Sequence, residues 1–263
     1  AAVERLIATH YTVRRSGAVG LVIALLIALV AGLINFGEPA EIFLQMGRDA
    51  IRRTAASGEI VVIAKDERSA KLLGETSEWK RSYDARLVDK LRLMGAKTIL
   101  FNEIMYEPSN PADDATLAAA FDRANGKVWL SAQLAENSEY AKWDARLPIS
   151  LFRSKTRQAH FYLWRGLFGN VEYFPRSRNI GRSRYPSEVE ILADVESKEG
   201  IIRPDFAINY KSIPTIASAD FLLGENNDLT VSGKTVVIAY VSEDRGKIFR
   251  VLGQVEAPAV YSF

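Results

Sequence analysis

The spacing of apolar and polar side chains changes along the 263-residue chain, and each change marks an element. The loudest stretch is "GAVGLVIALLIALVAGLINFG", Gly17 to Gly37, 21 residues without a charge. At about 1.5 Å per residue a helix of this length reaches roughly 30 Å, the thickness of a bilayer core. Twelve of these residues are Leu, Ile, Val or Phe, together worth about 4 to 7 kcal/mol of insertion free energy. A membrane-spanning helix over 17–37 is therefore expected, rather than a buried core helix or a cleavable leader, whose apolar region runs only about 7 to 15 residues. Gly20, Ala24, Ala28 and Gly32 recur every four residues, a stripe of small side chains that lets a second helix approach closely. Beyond the span, Ile42, Phe43, Met46 and Ala50 keep helical spacing, which predicts a juxtamembrane helix over 38–57.

From residue 58 onward the pattern is that of a layered α/β domain. "IVVIA" (60–64) is a continuous β-branched run, the signature of a strand covered on both faces. "SYDARLVDKLRLM" places Tyr83, Leu87, Val88, Leu91 and Met94 on one helical face, and Gly95 stands where a helix ends. "KTILF", a helix carrying Leu117, Phe121 and Ala124, and "KVWLSA" (127–132) follow, giving β, α, β, α, β with short links and hence parallel pairing. Residues 133–185 are less regular: "HFYLW" and "VEYF" read as strands, "PRSRNIGRSRYP" as a basic loop, and the whole as an insertion covering the sheet. Periodicity returns with "PSEVEILADV" as a helix, "DFAINY", the helix-like "SADFLLG", and "KTVVIAY" (234–240) as another buried strand.

Charge adds an orientation. Residues 1–37 hold Arg5, Arg14 and Arg15 against Glu4, a balance of +2, which leaves the other 226 residues neutral with 31 basic and 31 acidic side chains. The basic flank precedes the span and Glu38 and Glu41 follow it, so residues 1–16 are expected in the cytoplasm and 38–263 outside the bacterial inner membrane. A neutral body without interleaved basic and aromatic runs offers no footprint for nucleic acid. There is no cysteine, which excludes disulfides and thiolate metal sites. The chain begins without methionine and is read as a piece of something longer.

Candidate chemistry is sparse. In open parallel sheets ligands bind beyond the carboxyl ends of the strands. Asp66 and Glu67 follow the first strand there, and Glu103 and Glu107 follow the second. If those strands are neighbours, the four carboxylates meet at one edge and can hold a hard cation such as Mg²⁺ or Ca²⁺ through oxygen. Asn110 and Pro111 read as N-cap and first residue of the next helix, with Asp113 and Asp114 in its first turn. Arg81 is a further ligand candidate, and Arg176, Arg178, Arg182 and Arg184 are candidates for binding an anion. The two histidines, His10 and His160, offer no catalytic pairing, and His160 reads as packed or surface. GxSxG, Walker and GxGxxG patterns are absent, and no cofactor is implied.

The blocks "IVVIAKDERSAKLLG", "WKRSYDARLVDKLRLMGAKTILFNEIMYEPSNPADDATLAAAF", "DFAINY", "SADFLLG", "GKTVVIAYVSEDRG" and "GQVEAPAVY" occur in the order found in CHASE2 domains. Residues 38–263 thus resemble a CHASE2 extracytoplasmic sensor led by a membrane helix, with "LxxMGAKTILFNEIMYEP" the most specific part. The resemblance implies a non-enzymatic input domain, with a diguanylate cyclase, adenylyl cyclase or histidine kinase beyond Phe263, and it brings no ligand with it. Where the family commonly has "FDI" this chain has Phe101, Asn102 and Glu103; for a pair of aspartates it has Lys65, Asp66 and Glu67; for Trp-Pro-Trp it has only Trp79 to Arg81. The expected function is sensory, with a small-molecule ligand, the lipid bilayer and a second copy of the chain as partners. The rival readings are a metal-dependent periplasmic hydrolase using the Asp66, Glu67, Glu103 and Glu107 group, and a dimerisation module.

Overall fold

The computed structural model describes residues 17–30, 32, 44, 47–48, 51–52, 54–74, 79–137, 142–165, 171–180, 182–194, 200–202, 210–224, 230–241, 248–251 and 254–258. Two units divide at Ile51 and Arg52. In the first, residues 17–30 are helical, and Leu21, Ile23, Leu25, Ile27 and Leu29 are all more than half exposed. Among the described residues no helix is long and apolar enough to cross a membrane; Leu33 to Gly37 of the expected span lie outside them. Most of the expected juxtamembrane helix does too, with residues 44, 47, 48 and 51 described as helical.

The second unit is a mixed α/β structure around a mainly parallel seven-stranded sheet. Its strands are β1 (Ile60–Lys65), β2 (Thr98–Phe101), β3 (Val128–Asn137), β4 (Lys142–Arg146), β5 (Arg157–His160), β11 (Thr215–Ala217) and β12 (Thr235–Tyr240). Its helices are α1 (Glu67–Leu72), α2 (Arg81–Leu93), α3 (Pro111–Ala124), α4 (Ser150–Arg153), α5 (Glu188–Ala193) and α6 (Ser218–Leu223). The order across the sheet is β11-β1-β12-β2-β3, with β5 parallel to β3 on its far side and β4 antiparallel to the end of β3. Smaller pairs are β6 (Trp164–Arg165) with β7 (Val171–Pro175), β7 with β10 (Ile201–Ile202), β8 (Ser177–Ile180) with β9 (Ser183–Pro186), and β13 (Ile248–Val251) with β14 (Gln254–Pro258).

Side chains alternate across a strand, so a strand buried on both faces must be apolar throughout. Val61 and Ile63 of β1, Val236 and Ile238 of β12, and Ile99 and Phe101 of β2 join the larger core cluster, while Val62, Val237 and Leu100 join the smaller one opposite. The larger cluster includes Leu87 and Leu91 of α2, Leu117 and Phe121 of α3, Phe152 of α4 and Phe221 of α6. Phe101, Phe121 and Phe152 meet edge to face at 5.9 and 5.4 Å. The steps β1 to β2 to β3 to β5, and β11 to β12, all run one way across the sheet, and crossovers of one hand then put their helices on one face. The return from β5 to β11 carries α5, whose Leu192 packs on the other face with Val62 and Leu100.

Several expectations are thereby corrected. β12 lies between β1 and β2, so the first two strands of the chain are not neighbours. The "irregular insertion" contributes β5 to the main sheet and forms the β8–β9 hairpin where a basic loop was expected. "HFYLW" is not one strand, since β5 ends at His160 and β6 begins at Trp164. "DFAINY" lies outside the described residues except for Tyr210. The helix ends are as the sequence indicates: Asn110 caps α3 by accepting from the Ala112 and Asp113 N–H groups, and Gly95 after α2 has φ +81°, a left-handed conformation natural to glycine.

Candidate functional site

Position 65 continues the inward face of β1, two residues after Ile63, where another apolar residue would be expected; the chain places Lys65 there, fully buried. Its Nζ lies 2.7 Å from Asp84 Oδ1, in the first turn of α2, and 2.9 Å from Glu103 Oε2, just past β2. Aromatic rings of Trp79, Phe101 and Tyr240 surround the ammonium with centroids 5.5, 5.5 and 5.1 Å away, each stabilising a cation through its π face. The Trp79 indole N–H also donates to Asp84 Oδ1 at 2.9 Å. Asp84 Oδ2 is buried without a hydrogen bond.

One ammonium thus serves two carboxylates, leaving the buried trio an excess negative charge. Burial pushes the Lys65 pKa down, but the carboxylates of Asp84 and Glu103 more than reverse this, and the net shift is upward. Lys65 therefore stays charged and is a poor nucleophile, because nucleophilic lysine chemistry requires the neutral amine. Burial raises Asp84 to about 6, against the pull of Lys65 and with the help of Glu103. Glu103 is the trio's outlet to solvent, with its side chain 19% exposed against 0% and 1% for Lys65 and Asp84.

A second polar group occupies the opposite face at the same edge. Asn102 follows β2 on the side of Leu100, and its amide donates to Glu188 Oε2 at 2.7 Å. Ser131 Oγ is within hydrogen-bonding reach of both the Phe101 carbonyl, at 2.8 Å, and Glu188 Oε1. Glu188 opens α5 behind a capping box formed by Ser187 and Glu190. Burial raises Glu188 to about 7, against the stabilisation of its ionised form by Ser131 and Asn102. His160, at the end of β5, is fully buried. Burial and then the charge of Arg178 lower its pKa to about 4, with the Arg176 main chain acting weakly the other way.

The expected residues are dispersed differently. Asp66 is the N-cap of α1, accepting from the Ser69 N–H at 2.7 Å, and Glu67 is exposed in the first turn. Glu107 has an exposed side chain, and its main-chain carbonyl accepts from Arg81 at 2.7 Å. Asp66, Glu67, Glu103 and Glu107 do not converge: among the described residues no group of three or more His, Cys, Asp or Glu side chains could hold a metal ion. Arg81 pairs with Asp114 at 2.5 Å and lies over the Phe152 ring at 5.2 Å, which ties α2 to α3. Asp114, in the first turn of α3 as expected, is the buried half of that pair and also accepts from the Ser109 N–H at 3.0 Å. The four arginines separate, with Arg176 and Arg178 half-buried and Arg182 and Arg184 exposed. Gly20 and Gly32 of the small-residue stripe have nothing within 4 Å of an added Cβ.

Sequence reading missed Lys65, Asp84 and Glu188. Lys65 carried one available signal, a lysine closing an otherwise apolar strand; Asp84 and Glu188 sit in ordinary helix-start positions.

The fold is an open, mainly parallel α/β sheet with buried polar groups toward the carboxyl ends of β1 and β2. Residues 21–251 match the CHASE2 domain model, and the chain belongs to the CHASE2 family, a family of sensory domains. No match was found among curated proteins, and none among solved structures.

Proposed function

We propose that this chain is the extracytoplasmic sensory input domain of a membrane-bound bacterial signalling protein, in which the state of the sheet's carboxyl edge biases a cytoplasmic output. The supporting observation is the Lys65, Asp84 and Glu103 trio. It places an uncompensated buried charge between β1, β2 and the start of α2, where a change at Glu103 is felt by two elements at once. A stimulus shifts such an equilibrium only by its differential affinity for the two arrangements. The membrane anchor is the helix around 17–37, supported by its uncharged sequence and by the exposure of Leu21, Ile23, Leu25, Ile27 and Leu29. The stripe of Gly20, Ala24, Ala28 and Gly32 supports a homodimer in the bilayer, and a nucleotide cyclase or kinase is the fitting output.

Two fusions at Phe263 test the placement: alkaline phosphatase is expected to be active and green fluorescent protein dark in the same bacterium, and the reverse pair refutes it. Signalling is tested by returning the chain to the cytoplasm through a further membrane helix joined to a diguanylate cyclase. Glu103→Gln should then change cyclase output without lowering membrane abundance, and an unchanged output counts against the trio as the sensing element.

A further inference from the structure

We propose that the ligand of the Lys65, Asp84 and Glu103 trio is a proton, taken up at Asp84 Oδ2. Its use as a stimulus rests on the sensory reading above; its binding rests on the geometry of the trio. One ammonium, Lys65 Nζ, lies 2.7 Å from Asp84 Oδ1 and 2.9 Å from Glu103 Oε2, so two carboxylates share one cation and the group carries one negative charge in excess. The two oxygens of Asp84 are treated unequally. Oδ1 accepts from Lys65 and, at 2.9 Å, from the Trp79 indole N–H, whereas Oδ2 is buried with no hydrogen bond. A charged oxygen buried without a donor is costly, and it is the atom of the trio where a proton meets least competition.

Size decides what fits there. The side chains of Lys65 and Asp84 are 0% and 1% exposed, and the rings of Trp79, Phe101 and Tyr240 close around the ammonium. A metal ion requires several oxygen ligands, and an organic cation would have to displace those rings. A proton requires neither, and Glu103, 19% exposed, gives it a path from solvent. Charges on the helices packed against α2 are committed elsewhere: Asp114 of α3 is held by Arg81, and Asp220 of α6 by Arg68 of α1. The proton at Asp84 therefore answers to Lys65 and Glu103, with the Tyr240 ring of β12 against the ammonium. Taken from water onto Oδ2, it removes the excess charge and breaks no covalent bond of the chain. Ionised Glu103 then attracts the ammonium more strongly than neutral Asp84 does, so the charged tie from β1 to α2 gives way to one from β1 to the end of β2. Burial and Glu103 raise Asp84 from 3.8 to about 6 against the pull of Lys65, so folding favours the protonated form and uptake occurs as pH falls through about 6.

The proton is read at the trio itself, on the full chain in detergent, so binding and sensing can fail separately. The Trp79 indole N–H is a built-in reporter because its acceptor is Asp84 Oδ1, and Trp79→Phe assigns its NMR resonance among the four tryptophans. On titration the indole resonance should move with a single midpoint at about 6, and the labelled carboxyl carbon of Asp84, assigned with Asp84→Asn, should move with it. Glu103→Gln removes the repelling carboxylate and should lower that midpoint by about one unit, a tenfold loss of proton affinity. Glu67→Gln, at an exposed carboxylate outside the trio, should leave it unchanged. Equal midpoints in these two variants overturn the proposal. If Glu103→Gln does not fold, wild type alone decides: an Asp84 carbon that stays ionised down to about pH 4.5, or an indole resonance that does not follow it, overturns the proposal as well. In the cyclase fusion described above, wild type should change its output between about pH 7.5 and 5 outside the cell, and Asp84→Asn should not. A flat wild-type output beside a titrating Asp84 upholds the proton site and counts against the sensory reading.

Discussion

Glu188 is held by a hydrogen-bond arrangement that suits a neutral acid. Ser131 has one hydroxyl proton but two oxygens within reach, the Phe101 carbonyl and Glu188 Oε1. If Glu188 keeps its proton, it donates to Ser131 Oγ, Ser131 donates to the carbonyl, and Asn102 donates to the remaining carboxyl oxygen. The folded pKa of about 7, raised from 4.5 chiefly by burial, agrees with that count. In the folded state the proton is held more tightly than in the unfolded chain, so its contribution is fully present below about 4.5 and is lost as pH rises to about 7. Ionising Glu188 should therefore cost wild type on the order of 3 kcal/mol across that window, read as the difference from Glu188→Gln because Asp84 and His160 titrate over the same range. Glu188→Gln, which reproduces the protonated pattern, should flatten that fall and be the more stable protein at pH 8. Urea unfolding at a series of pH values checks this, and parallel profiles for the two proteins would refute the neutral acid. Lys65 gives the opposite experiment, because Lys65→Met leaves Asp84 and Glu103 buried without their cation, a loss of about 3 to 5 kcal/mol near neutral pH. Adding Asp84→Asn should restore much of it. Little of this was readable from the sequence beyond a lysine closing an apolar strand; Lys65, Asp66 and Glu67 look like one solvated turn, and only the register of β1 turns the first of them inward.

Elements were more legible than their neighbours. The apolar runs of β1, β2, β3 and β12 and the faces of α2 and α3 follow from period alone, because both faces of the sheet and one face of each helix are buried. Strand order does not, since β1 pairs with β12 in parallel register from Ile60 with Thr235 to Lys65 with Tyr240, and no local pattern encodes a partner so distant. In the structure Asp66, expected as a ligand, accepts from the Ser69 N–H as the cap of α1. The two roles predict different outcomes. Asparagine caps a helix as well as aspartate does, whereas alanine costs about 1 kcal/mol. Asp66→Asn should leave the unfolding midpoint unchanged, and Asp66→Ala should lower stability by about that amount. If Asp66→Asn were as damaging as alanine, the carboxylate would be doing something beyond capping. The β8–β9 hairpin illustrates the converse: its arginines and proline masked a strand pair whose main-chain register separates the half-buried arginines from the exposed ones.

On the scale of the molecule, the division at Ile51 and Arg52 separates two kinds of apolar surface. Every residue of the two core clusters lies beyond it, while the described residues of 17–30 expose nine large apolar side chains in a single helix. Surface of that kind is stable only against lipid, detergent or another chain. The full chain should accordingly need detergent, whereas a chain starting at Arg52 should be soluble without it and unfold cooperatively, as judged by size-exclusion chromatography and circular dichroism. Chelation should not change that transition, because the carboxylates at the sheet edge are committed to Lys65, to the α1 cap or to solvent rather than to a shared ion. An excess of EDTA that lowered the melting temperature, with recovery on adding Mg²⁺ or Ca²⁺, would return the metal-dependent hydrolase to contention. An unchanged temperature would leave protons and small ions as the species to which this edge can respond.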